Sequence, residues 1–158
     1  MRKSEITLID GTTPARLTEV KVLFEEYAQS LGFDLDFQDF KTELNHLPGD
    51  YAPPDGRLLL ALVDNTVAGC IALRKINSTI CEMKRLFVRP PYRGLGLGRR
   101  MALELISLAR KIGYQRMLLD TVPWMTEAIG LYTSLGFTET AAYRFNPIPG
   151  AKYMALAL

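Results

Sequence analysis

Apolar positions along the chain follow two spacings, and the changes between them mark out the elements. Ser4–Asp10 alternates weakly and reads as a first strand, ended by the turn Asp10-Gly11-Thr12-Thr13-Pro14. Leu17, Val20, Leu23, Phe24, Tyr27 and Leu31 lie three or four apart, which is one face of a helix that Gly32 stops. Phe37, Phe40 and Leu44 predict a short second helix, with Asp36 and Asp39 as a capping arrangement at its start. Pro48–Gly56 holds too many turn residues to be anything but a long loop. Arg57–Val63 is a continuous apolar run, a buried strand; Asp64-Asn65 turns it into Thr66–Ile76, and Asn77-Ser78 turns that into Thr79–Val88. These three strands form an antiparallel meander that Pro90-Pro91 ends.

The second half alternates between the two spacings. Gly96–Ile112 carries the clearest helical stripe, Leu97, Met101, Leu105, Leu108 and Ile112, closed by Gly113. Gln115–Thr121 reads as a strand, Trp124–Leu135 as a helix closed by Gly136, and Phe137–Arg144 as a strand. The loop Asn146–Gly150 leads to a last strand, Lys152–Leu158. The helical crossover makes Thr79–Val88 and Gln115–Thr121 parallel neighbours. The expected fold class is α/β with a mixed sheet, in one domain spanning residues 1–158.

Composition narrows the function classes. A chain of 158 residues with 48% hydrophobic and 23% charged residues can bury a real core. The formal net charge of +2, without any basic run, argues against a nucleic-acid partner. Arg85, Arg89, Arg93, Arg99 and Arg100 gather locally instead, which suits a small anion. Met1–Asp10 is too polar for a signal peptide and no stretch is long enough to span a bilayer, so a cytoplasmic protein without a membrane partner is the default expectation. Cys70 and Cys81 fall in one hairpin. Counting back from its turn puts Arg74 opposite Cys81, so two buried thiols are expected rather than a disulfide. No His/Cys cluster supports a metal site.

The chemistry concentrates between Glu82 and Arg100. A strand ends there, and a turn with Gly94, Gly96 and Gly98 opens a helix. Amides at a helix N-terminus are unpaired and carry partial positive charge, and glycines let a bulky anion reach them. Arg93, Arg99 and Arg100 add full charges, so the segment reads as a diphosphate site. A P-loop would need Lys followed by Ser or Thr where Arg99-Arg100 stand, and a Rossmann fingerprint would need a third glycine where Arg99 stands. Asp120, near the distance of a ribose-binding acid, keeps a dinucleotide reading open.

Arg93-Gly94-Leu95-Gly96-Leu97-Gly98 resembles the R/Q-x-x-G-x-G/A signature of the GNAT superfamily of N-acetyltransferases. Leu86-Phe87-Val88-Arg89-Pro90 is similar to that family's fourth strand running into its pyrophosphate loop. Ala128–Phe137, with Tyr132 and the closing Leu135-Gly136-Phe137, is similar to its penultimate helix. The resemblance covers about Glu82 to Glu139. It implies acetyl-CoA as cosubstrate, with the backbone of Arg93, Gly94, Leu95, Gly96, Leu97, Gly98 and Arg99 on the pyrophosphate. The backbone of Leu86, Phe87 and Val88 would lie along the pantetheine arm in a sheet splayed beside that strand. A bulge would free an amide, of Leu86 or Phe87, for the thioester oxygen. Tyr132 matches the family's general acid for the departing thiolate. Glu82 is similarly placed to the catalytic Glu of related histone acetyltransferases and is the candidate base, although its alternation with Lys84 also fits a solvated sheet face. The family's Asn after the fifth strand has no counterpart in Asp120-Thr121-Val122-Pro123-Trp124.

In this family the acceptor site is built from the first helix pair and the last hairpin. Phe33, Asp34, Asp36, Tyr51, Tyr143, Arg144 and Asn146 are therefore the acceptor candidates, with Asp34 and Asp36 suited to a cationic amine and Arg144 to a carboxylate. His46, at a helix end, reads as a solvated cap. The resulting expectation is direct transfer, in a ternary complex, to a primary amine of a small molecule or amino acid, without metal; a homodimer is left open. The alternatives are a peptide amine acceptor, a non-catalytic CoA-sensing module of the same fold, and a dinucleotide-binding protein.

Overall fold

The computed structural model describes residues 3–35 and 39–158. The strands are β1 (Ile6–Asp10), β2 (Arg57–Val63), β3 (Thr66–Lys75), β4 (Ile80–Val88), β5 (Arg116–Thr121), β6 (Thr138–Glu139) and β7 (Lys152–Ala157). The helices are α1 (Pro14–Ser30), α2 (Phe40–Asn45), α3 (Leu97–Ile112) and α4 (Thr126–Ser134). One seven-stranded sheet runs in the order β1-β2-β3-β4-β5-β7-β6, antiparallel everywhere except between β4 and β5. The expected mixed sheet with its single parallel crossover is the observed one.

β2 is apolar from Leu58 to Val63 because both of its faces are covered. Leu58 and Leu60 pack in the layer with α1, whereas Leu59, Ala61 and Val63 pack in the layer with α3. On α3 the buried residues are Leu97, Met101, Ala102, Leu105, Ile106 and Ala109; Leu108 and Ile112, expected in the stripe, are partly buried at its edge. Each large side chain enclosed this way stabilises the fold by about 1.5–3 kcal/mol. Gly113 ends α3 at φ 111°, a conformation that costs glycine little.

Some boundaries differ from the expected ones, for local reasons. α1 starts earlier, at Pro14, whose fixed φ suits a first helical position. α2 starts at Phe40; the expected cap at Asp36, and Phe37, lie outside the described residues. The β3–β4 turn is one residue out of the expected register, with Lys75 opposite Cys81 and Arg74 opposite Glu82. Asn77 explains the shift: its Oδ1 accepts from the amides of Thr79 and Ile80 and from the Thr79 hydroxyl, which builds a wider loop. Cys70, across from Phe87, lies in the α1 layer and Cys81 in the α3 layer, so the two free thiols sit on opposite faces of the sheet. α4 begins at Thr126, after an exposed Trp124. The strand expected over Phe137–Arg144 is only Thr138–Glu139, because Tyr143 and Arg144 turn inward to Glu82.

Two irregularities prepare a site in the middle of the sheet. β4 and β5 pair only at Ile80↔Arg116, Cys81↔Met117 and Glu82↔Leu118, although β4 continues to Val88 and β5 to Thr121. Beyond Glu82 the two strands part. On its other edge β4 carries a bulge: Ala72 pairs with Lys84 and Cys70 with Phe87, so Arg85 and Leu86 together oppose Ile71. Arg85 sits at φ 61°, the left-handed region, as the extra residue. Without it Arg85 would face α3; with it, Lys84 and Arg85 both serve the α1 side.

Candidate active site

The opening between β4 and β5 leads into two cavities that meet. The larger, about 600 Å³, runs from Leu86, Phe87 and Val88 past Arg93, Gly94, Gly96 and Gly98 to Trp124–Ala128 and Leu131. The smaller, about 40 Å³, is walled by Met83, Lys84, Arg85 and Leu86 of β4 and by Leu119, Asp120 and Thr121 of β5. Phe33, Leu35, Tyr132 and Asn146 complete it. Tyr27, Leu86 and Met125 border both. The geometry is that of a long cleft for an extended molecule, ending in a narrow chamber where its tip would meet a second one.

At the far end of the cleft the glycine turn opens α3. Gly94 and Gly96 stand at φ 85° and 77°, and no side chain caps the first turn of the helix. Its first amides therefore point outward without an intrahelical partner. Gly98 stands 3.5 Å (from an ideal Cβ) from Leu131 of α4, which keeps this end of the cleft tight. The five-arginine cluster divides. Arg93, whose Nε donates to the Val88 carbonyl at 3.0 Å, lines the cleft, and Arg99 donates to Ser134 Oγ at 3.0 Å beside the turn. Arg89 is held by Glu26 at 2.7 Å, Arg85 is inside the α1 layer, and Arg100 lines a separate groove with Asp10, Arg57 and Glu104.

Behind the chamber lies a buried charge network. Glu82 is fully enclosed. Arg74 Nε donates to it at 2.6 Å, Arg144 Nη2 at 2.8 Å and Tyr143 Oη at 2.5 Å. The solvated-face reading of Glu82 and Lys84 is thus corrected, because both are buried. Burial pushes the Glu82 carboxyl up. Lys84, Arg74, Arg144 and the Tyr143 hydrogen bond outweigh that and leave it below the usual carboxylate range. Arg85 makes a two-pronged pair with Glu43, 2.9 Å on each prong, and Glu43 also accepts from Tyr51 Oη at 2.9 Å. Arg85 stacks between Tyr27 and Phe40, 5.8 and 5.2 Å from the ring centres. Lys84 reaches the chamber wall. Burial first, and the Arg85 charge next, lower its ammonium to about 7 against the partial support of Glu82.

Tyr132 is buried at the chamber, packed 5.8 Å from Phe137, and burial pushes its hydroxyl up so that it stays protonated at neutral pH. Of the acceptor candidates, Phe33 and Asn146 line the chamber, and Phe33 meets Trp124 edge-on at 5.8 Å across its mouth. Tyr143 and Arg144 belong to the network around Glu82, with the Arg144 carbonyl held by Tyr153 Oη at 3.0 Å. Tyr51 is buried, faces a separate cavity of about 360 Å³ beside Asp39, His46 and Arg74, and is not on the chamber wall. Asp34 is exposed, and Asp36 lies outside the described residues. His46 is exposed at the end of α2, its Nδ1 2.8 Å from the Thr42 carbonyl.

Asp120, read from the sequence only as a candidate ribose-binding acid, and Lys84 are charged chamber residues to which sequence reasoning gave no part in acetyl transfer. Asp120, half-buried, accepts from Asn146 Nδ2 at 3.2 Å. Its signal was a carboxylate ending the apolar run Met117-Leu118-Leu119 at the parting of the strands. For Lys84 the signal was its place among three charges, with Glu82 and Arg85, in a strand whose remaining residues are apolar. Among the described residues no group of three His, Cys, Asp or Glu side chains could hold a metal ion, and no helix is long and apolar enough to cross a membrane.

Comparison with known proteins bears on this geometry. The sequence profile of the Acetyltransferase (GNAT) family matches residues 19–137. An uncharacterized N-acetyltransferase of Schizosaccharomyces pombe is 41% identical over 160 residues, covering 100% of this chain and 98% of that protein. An acetyltransferase crystal structure from Streptococcus agalactiae superposes with a TM-score of 0.80 at 22% identity, over 97% of this chain and 98% of that one. A Salmonella typhimurium acetyltransferase structure, described with its cofactor acetyl-CoA, gives a TM-score of 0.68 at 21% identity, over 96% and 93% of the two chains.

Proposed function

The chain belongs to the GNAT acetyltransferase family and is an N-acetyltransferase, and from that premise we propose that it moves the acetyl group of acetyl-CoA directly to the primary amine of a small molecule or amino acid. The observation that carries the proposal is the parted β4–β5 pair, with a cleft ending at an uncapped helix N-terminus on one side and a chamber holding Tyr132 on the other.

In this reading the CoA pyrophosphate lies on the amides from Arg93 to Arg99, and the pantetheine arm runs along Leu86, Phe87 and Val88 as an added strand. The thioester reaches the bulge, where the Leu86 amide is the donor for the developing oxyanion. Tyr132 protonates the departing thiolate. Glu82 holds Arg74, Tyr143 and Arg144 in place, in contrast to the base role expected from the sequence; its oxygens already accept three bonds and it is not on the chamber wall. The small chamber favours a compact acceptor, since a peptide would need a groove continuing past Phe33 and Trp124. Both thiols are buried with their acidity suppressed, which supports transfer without a covalent intermediate.

Thiol release over a panel of amines and amino acids with acetyl-CoA tests the reading. Turnover with at least one small amine is expected, as is thermal stabilisation by acetyl-CoA but not by NAD or ATP. Stabilisation by acetyl-CoA without turnover on any amine would favour the sensing module, and stabilisation by NAD alone would overturn the reading.

A further inference from the structure

An amine dissolved at neutral pH is mostly protonated, and an ammonium has no lone pair with which to attack a thioester. The proposed transfer therefore needs a group on the chamber wall that is unprotonated at working pH and able to accept a proton. Among the described residues the wall offers few titratable side chains: Tyr27, Lys84, Arg85, Asp120 and Tyr132. Tyr27 and Tyr132 hold their protons, Arg85 is a permanent cation bound to Glu43, and Asp120, on the facing strand β5, is engaged by Asn146 Nδ2 at 3.2 Å. Glu82 is behind the wall with its oxygens in use.

We propose that Lys84 is the catalytic base of this chain, the residue that takes the proton from the acceptor's ammonium. The inference rests on the N-acetyltransferase reading above and adds a residue to it. Lys84 stands on β4 between the last residue paired with β5 and the bulge, so it faces the chamber two positions before Leu86, which borders the cofactor cleft. Among the described residues, the charged and titratable groups around it include Glu82 and Arg85 on β4, Arg74 on β3, Arg144 and Tyr143 on the β6–β7 connection, Asp120 on β5, and Tyr132 on α4. Glu43 on α2 acts through Arg85. Burial and the three arginines disfavour a further positive charge, and Glu82 opposes them. The balance leaves Lys84 near 7, so much of it is a neutral amine at physiological pH.

The step balances as follows. The Lys84 amine accepts one proton from the acceptor ammonium. The freed nitrogen lone pair forms the C–N bond to the thioester carbon as the C–S bond breaks. Tyr132 gives its proton to the thiolate and regains one, through water, from the new amide nitrogen. Lys84 then returns its proton to solvent, which accounts for the single proton released per turnover.

Two measurements test this. With the best amine of the panel, wild-type kcat should rise with pH through about 7 and then level. Lys84→Arg keeps the charge but cannot become neutral, so kcat should fall 10²- to 10⁴-fold at pH 7.5 with KM for acetyl-CoA little changed. The variant's rate should then climb about tenfold per pH unit as the acceptor deprotonates itself, narrowing the gap toward pH 9.5. A purely structural role would leave the gap constant. A Lys84→Arg enzyme within threefold of wild type, or one retaining the limb near pH 7, overturns the proposal; so does loss of that limb in Asp120→Asn while Lys84→Arg keeps it. Independently, wild-type protein labelled at lysine Cε is titrated by ¹³C NMR with CoA present and no acceptor, the Lys84 signal assigned by its loss in Lys84→Met. A midpoint near 7 supports the proposal and one above 9 overturns it. If no amine in the panel turns over, the acetyl-transfer reading has failed by its own test, and the titration still decides whether the chamber holds a neutral amine.

Discussion

Replacing Glu82 by glutamine separates anchoring from catalysis. The carboxylate is fully enclosed, and its partners Arg74 and Arg144 are 29% and 19% exposed. Removing one partner of a buried ion pair costs about 3–5 kcal/mol, because the other charge stays behind. Glutamine keeps one acceptor oxygen, and both guanidinium groups retain some water, which reduces the expected loss to roughly 2–4 kcal/mol. For a chain of this length about 2–4 °C of melting temperature accompanies each kcal/mol, so Tm should fall by roughly 5–15 °C. The sign with pH follows from the depressed acidity of Glu82. A lowered folded pKa gives stability that is present above the ordinary carboxylate value and lost as pH falls through the folded one. The difference between wild type and Glu82→Gln should thus widen as pH falls from 8 to 6, where Lys84 takes up a proton that Glu82 helps to hold, and close toward pH 3. Urea melts at several pH values, with circular dichroism as the probe, measure it. A variant melting within 1 °C of wild type at pH 7 while losing most of its kcat would refute the anchoring role and return Glu82 to the chemistry.

Tyr132→Phe should lower kcat by roughly 10²-fold or more with KM for acetyl-CoA within about twofold, measured by steady-state thiol release. Gly94→Val places a β-branched side chain at φ 85° in the phosphate turn, and CoA affinity by calorimetry should drop more than about tenfold while the fold persists. Cys70 and Cys81, both buried, have thiols pushed up, Cys81 to about 12; Ellman's reagent at pH 7.5 should leave both unmodified in native protein and label both in urea.

The sheet was legible wherever covering layers set the apolar pattern. β2 was read with its bounds intact because every residue from Leu58 to Val63 is buried, and α3 because its stripe and Gly113 are local signals. The glycine turn before α3 was legible for the same reason: glycine spacing is a backbone requirement written into a few consecutive residues. Long-range polar contacts left no such trace. Tyr143 and Arg144 read as strand residues, yet they leave the ladder for a carboxylate 61 and 62 positions away. The alternation of Glu82 with Lys84 also fitted a solvated face because nothing local announces that Arg74 of β3 and Arg144 of the β6–β7 connection close over them. The arginine cluster between Arg85 and Arg100 is close in sequence only; strand, turn and helix send its members to different sides of the molecule.

The extra residue at Arg85 splits β4 into two stretches of opposite parity. Cys81 and Met83 face α3 before it, and Leu86 and Val88 face α3 after it. Straightening β4 with Arg85 retained would therefore turn Arg85 and Phe87 toward α3 and Leu86 and Val88 toward α1, exchanging the contents of two layers at once, whereas deleting Arg85 would restore the regular alternation and leave both layers as they are. A lineage carrying this strand can shed that single position with its layers intact, but it cannot keep the position and lose the kink.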